Sequence, residues 1–128
     1  VSKEELFRRS DVLSVHLVLS ERTTNLIGAK EFALMKPDSI FVNTSRGPIV
    51  DEAALVDTMK RKAIRRAALD VFNIEPLPKG HVLTTLDNVV LSPHLGYASE
   101  DNYRQYFVDA VENIEAWFSG QPIRITTD

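Results

Sequence analysis

A parallel α/β sheet of the doubly wound type is the fold this sequence predicts, and three observations predict it. Short apolar, β-branched runs at 12–19, 40–42, 67–71 and 89–91 alternate with stretches of helical periodicity, the pattern of βαβ units. These runs are apolar almost throughout, as strands buried on both faces of a parallel sheet are. Three of them pass directly into polar signatures: Asn43-Thr44-Ser45-Arg46-Gly47, then Asp70 through Glu75-Pro76, then Ser92-Pro93-His94-Leu95-Gly96. Arg46, Glu75 and His94 should therefore emerge at strand carboxyl ends, the edge at which open α/β sheets bind ligands.

Each element has its own local justification. Ser2 followed by Glu5 forms a capping-box signature for a first helix, with Leu6 and Phe7 on its apolar side. Asp11 leads into the strand at 12–19, and the polar segment 20–25 reads as a loop. A short helix over 29–35 is stopped by Lys36-Pro37, because proline disfavours helical backbone at the residue before it. After the strand at 40–42, Asp51 can cap a helix running to about Lys60, with Ala54, Leu55 and Met59 turned inward. Lys60, Arg61 and Lys62 close it, where positive charge suits the helix dipole. The stretch 77–86 is a loop with Pro78 and Gly80. Ser99 caps the last helix, along which Tyr103, Tyr106, Phe107, Ala110, Val111, Ile114, Trp117 and Phe118 form an apolar stripe; Trp117 is expected to pack in the core. Gly120 and Pro122 end it.

Composition narrows the function classes. The 128 residues are 44% apolar, enough for one globular domain. A net charge of -3 with acids and bases interspersed leaves no electrostatic footprint for nucleic acid or an anionic membrane. No run approaches the roughly 20 apolar residues that span a bilayer. The sequence contains no cysteine, which excludes disulfides and thiolate metal sites and accords with a cytoplasmic protein.

The signatures, together with Val15-His16-Leu17-Val18-Leu19 followed by Thr23 and Thr24, and Ala68-Leu69-Asp70-Val71-Phe72 ahead of Glu75-Pro76, closely resemble the D-isomer-specific 2-hydroxyacid dehydrogenases. Four motifs in the right order and spacing cover nearly the whole chain. The resemblance implies an incomplete Rossmann-type domain, residues 1–128 forming the later part of an NAD(P)-binding domain. No G-x-G-x-x-G turn occurs in the sequence, and no substrate domain is present. It implies NAD or NADP as cofactor, with NAD favoured, a small 2-hydroxy or 2-oxo acid as substrate, and a homodimer. The segment by itself is expected to be inactive.

Residue by residue, the resemblance makes Arg46 the clamp for the substrate carboxylate and carbonyl, a task suited to a planar, permanently charged fork. It makes His94 the general acid and base, imidazole being the side chain that titrates nearest neutrality. Glu75 is then the carboxylate that orients His94. Without that context a loop arginine, a lone strand-end histidine and a Glu-Pro turn are ordinary surface features. Asp70 is expected to accept a hydrogen bond from the nicotinamide carboxamide. Thr44, Ser45, Arg46, His94 and Gly96 line the same cofactor side, and His16 and Leu17 contribute chiefly backbone contacts. Leu17 and Val18 depart from the small or proline residues commoner there. His81 receives no role, and no metal site is expected.

A runner-up of a different class shares the fold and the Arg, Glu and His: the dinucleotide-sensing transcriptional corepressors, which bind peptides and partner proteins. The resemblance also implies that the strand at 12–19 is third in a sheet ordered 3-2-1-4-5-6. Two absent strands would then separate it from the strand at 40–42. Either the two pair directly or a second copy fills the gap.

Overall fold

The computed structural model describes residues 1–126, which fall into two compact units, Val1–Gly96 and a second beginning at Tyr97. In the first unit four parallel strands lie side by side in chain order: β1 (Val12–Val15), β2 (Ile40–Asn43), β3 (Arg66–Leu69) and β4 (Val89–Leu91). β1 pairs directly with β2, Val12 opposite Ile40 and Val15 opposite Asn43. Direct pairing is the first of the two arrangements expected for these strands.

Helix α1 (Lys3–Arg9) leads into β1, and α2 (Ala29–Phe32) and α3 (Glu52–Lys60) lie in the β1–β2 and β2–β3 crossovers that parallel pairing requires. The caps are those the sequence signals. The Ser2 side chain accepts from the Glu5 amide, and Asp51 accepts from the Ala54 amide. α2 is shorter than the 29–35 expected, stopping ahead of Lys36-Pro37. Phe7 is buried on α1, but Leu6 is exposed, because a seven-residue helix turns only one narrow stripe to the sheet.

Burial alternates along the strands rather than running through them. Leu13, Val15, Phe41, Asn43, Ala67 and Leu69 are buried, whereas Val12 and Ser14 are exposed and Val42 and Ala68 half-buried. Within this unit only one face of the sheet carries the core, which corrects the expectation of strands buried on both faces. That core is built on Phe41, Ile49, Met59 and Ile64, all fully buried, with Phe32 meeting Phe41 edge-on at 5.2 Å between ring centroids. The first strand is also shorter than 12–19. Past Val15 the chain leaves the ladder, and residues 16–20 form the loop above it.

The second unit is dominated by α4 (Glu100–Phe118), capped by the Ser99 hydroxyl and ended where Gly120 takes a φ of +74°. None of its side chains is buried, and Trp117 is 71% exposed. The apolar stripe is present, but Trp117 is not a core residue among the described residues.

Candidate active site

The three polar signatures meet at the carboxyl ends of β2, β3 and β4. After β2, Asn43 is buried and its carboxamide pins the turn: Nδ2 donates to the Arg46 carbonyl at 3.0 Å and Oδ1 accepts from the Ser45 amide at 3.0 Å. Sequence reading assigned Asn43 nothing; its signal was the tendency of Asn to close such turns on its own backbone. Ser45 ties this loop to the one above β1, donating to the Val15 carbonyl at 2.7 Å and accepting from the Leu17 amide at 3.2 Å. Arg46 is exposed, one guanidinium nitrogen donating to the Ser45 carbonyl at 2.6 Å.

Gly47 explains why the arginine turn can sit against the turn that follows β3. A Cβ at this position would lie 2.1 Å from the Phe72 carbonyl carbon, so only glycine allows the approach. Past Phe72 the chain folds back on itself, and Glu75 is held by both oxygens. Oε1 accepts from the Phe72 amide at 2.9 Å, and Oε2 lies 2.6 Å from His94 Nδ1. Foremost the hydrogen bond from His94, then the Phe72 amide and the charges of His94 and Arg46, outweigh burial and hold the Glu75 carboxyl below the usual carboxylate range. The charges of Arg46 and His94 thus both act on Glu75.

His94 has a left-handed backbone, φ +57°. Asp70, 6% exposed at the end of β3, accepts from the Leu95 amide on Oδ1 and the Gly96 amide on Oδ2, both at 2.8 Å. Burial pushes its carboxyl up, but hydrogen bonds from the Ser92 hydroxyl and these two amides, with the charge of His94, outweigh it and hold the group below the usual range.

Clefts surround the pair. One of about 500 Å³ is lined by Phe72, Glu75, Pro76, Leu77, Leu91, Ser92, Pro93 and His94. A second, of about 230 Å³, runs past Val42, Thr44, Ala68, Asp70 and Gly96. A third, of about 460 Å³, is bounded by His16, Leu17, Val18, Leu19, Ser45 and Arg46. All the candidate residues therefore line one sheet edge, in the concave setting that small ligands use. The His16 ring is engaged locally, Nε2 lying 2.9 Å from the Ser14 hydroxyl. His81, left without a role by the sequence, caps the turn Val82–Thr85 through Nδ1 and faces Glu52 at 3.3 Å through Nε2. No cluster of metal-ligating side chains occurs among the described residues, and no helix there is long and apolar enough to cross a membrane.

Comparison with known proteins follows the same lines. Residues 1–96 match the family described as D-isomer specific 2-hydroxyacid dehydrogenase, NAD binding domain. A glyoxylate reductase of Aeropyrum pernix is 47% identical over 120 residues, 94% of this chain and 36% of that protein. A phosphoglycerate oxidoreductase of Vibrio cholerae is 42% identical, with a TM-score of 0.85 over 93% of this chain and 38% of its own. A D-lactate dehydrogenase of Lactobacillus jensenii solved with NAD+ is 26% identical, with a TM-score of 0.87 over 100% of this chain and 42% of its own; other solved neighbours hold NADPH. The chain spans about a third of the length of the curated relatives it matches.

Proposed function

Because this chain belongs to the D-isomer specific 2-hydroxyacid dehydrogenases, as part of their NAD-binding domain, we propose that the protein carrying it moves a hydride between a nicotinamide cofactor and a D-2-hydroxy acid or its 2-oxo acid. The observation that carries this reading is the pairing of His94 Nδ1 with Glu75 at 2.6 Å, inside the field of Arg46. Glu75 fixes the ring through Nδ1, so Nε2 is the nitrogen that exchanges the substrate proton. In the oxidising direction His94 takes the hydroxyl proton, while Arg46 binds the carboxylate and the carbonyl as it forms. In reduction the proton returns the same way.

The cofactor is NAD or NADP, with NAD favoured, and it supplies the redox chemistry when bound. The cleft past Thr44, Asp70 and Gly96 fits its nicotinamide end, being a slot at the carboxyl edge of a parallel sheet with the acid-base pair beside it. Ser45, His16 and Leu17 border the adjoining cleft and are assigned to the same ligand. A homodimer in the cytoplasm is part of the proposal, supported by the family resemblance and by a sequence without cysteine.

The test is a panel of glyoxylate, hydroxypyruvate, pyruvate and bulkier 2-oxo acids with NADH and NADPH, run on the full-length protein and on His94→Ala. At least one acid should be reduced efficiently, and His94→Ala should lower turnover about 100-fold or more with cofactor binding retained. Negligible rates on every acid with cofactor still bound would favour the corepressor-like reading.

A further inference from the structure

Asp70 is also engaged within the chain itself. Its two oxygens each accept a backbone amide, from Leu95 and Gly96, at 2.8 Å. Both donors directly follow His94 in sequence. His94 itself holds φ +57°, a backbone region that costs an L-residue energy and persists only where the surroundings impose it. Each oxygen of the carboxylate is thereby engaged by a main-chain donor. Gly96 completes the contact: a Cβ there would come within 2.9 Å of Asp70 Oδ2.

We propose that Asp70 is a positioning residue, whose carboxylate clamps the amides after His94 and so imposes the left-handed turn that aims the imidazole at Glu75 and the substrate. This rests on the function proposed above. Aspartate suits the task because a charged acceptor bonds two amides at once, and β3 holds it rigidly, the Asp70 amide donating to the Asn43 carbonyl at 3.0 Å. Asparagine cannot replace it, since its NH2 would turn one donor toward another.

The experiment compares Asp70→Asn with the unaltered protein in two ways. In the 128-residue chain without cofactor, amide hydrogen exchange at Leu95 and Gly96 should speed up by about ten- to a hundredfold in the variant, the range for losing a hydrogen bond to a charged group. In the full-length protein kcat should fall and the acidic limb of the pH–rate profile should move, because His94 loses its alignment with Glu75. Unchanged exchange, or a pH–rate profile that stays in place, would overturn the proposal. Should Asp70→Asn fail to fold, Gly96→Ala disturbs the same contact from the other side. It should speed exchange and lower kcat in the same direction, and unchanged values would overturn the proposal equally. Exchange is read without substrate or cofactor, so its failure counts against Asp70 alone. A full-length protein that reduces no 2-oxo acid counts against the proposed function alone.

Discussion

At Glu75 one carboxylate does two jobs with separate oxygens. Oε1 closes its own turn on the Phe72 amide, and Oε2 orients His94. Both bonds favour the ionised form, so its carboxyl titrates below the usual range in the folded chain. A depressed carboxylate contributes stability that is present above its unfolded value, about pH 4.3, and lost as pH falls through the lower folded value. Glu75→Gln should therefore lower the thermal midpoint at neutral pH, and the difference from the unaltered chain should shrink on acidification below about pH 4. Thermal melts across that range check this; a difference independent of pH would show that the charge on Glu75 is not what matters. In the full-length protein the same variant should alter mainly the acidic limb of the pH–rate profile, because the proton carrier His94 remains.

Two turns must touch for the site to exist, and the elements meet through a single glycine. The short turn Gly47–Ile49 follows Arg46, and its first residue lies against the backbone of Phe72, just ahead of Glu75. Gly47→Ala places a methyl group 2.1 Å from a carbonyl carbon, which backbone movement alone can relieve. Overpacking usually costs about 1–3 kcal/mol, and a clash with main chain belongs at the upper end. Urea denaturation should show a loss of about 2 kcal/mol or more, where a solvent-exposed substitution falls within about 0.5 kcal/mol. A neutral Gly47→Ala would mean that the arginine turn and the Glu75 turn are free to separate.

Across the whole molecule, the four-strand block carries Arg46, Glu75 and His94, the residues proposed for catalysis, but the sequence contains no glycine-rich G-x-G-x-x-G turn. Such a turn, opening a helix, is the usual seat of a dinucleotide pyrophosphate. The 128-residue chain should therefore bind NAD very weakly despite having the cleft proposed for the nicotinamide end. Calorimetric titration with NAD, alongside light scattering for its oligomeric state, measures this. Micromolar binding by a monomer would show that the nicotinamide side alone secures the cofactor.

Local patterns were enough for the sequence alone to determine the four strand cores, the caps at Ser2, Asp51 and Ser99, and the arrival of Arg46, Glu75 and His94 at one edge. These depend on side-chain periodicity, capping chemistry and the direction of parallel strands, all of which neighbouring residues dictate. Only the tertiary structure decided the rest. It set β1 against β2 without a gap, because strand order depends on which crossovers pack, and no local residue encodes that. It left one face of the sheet open within the first unit and Trp117 exposed, because an apolar stripe says that a surface wants cover and not which element supplies it. It also revealed the roles of Asn43, His81 and the Asp70 clamp, since each depends on a backbone group or side chain made adjacent by folding.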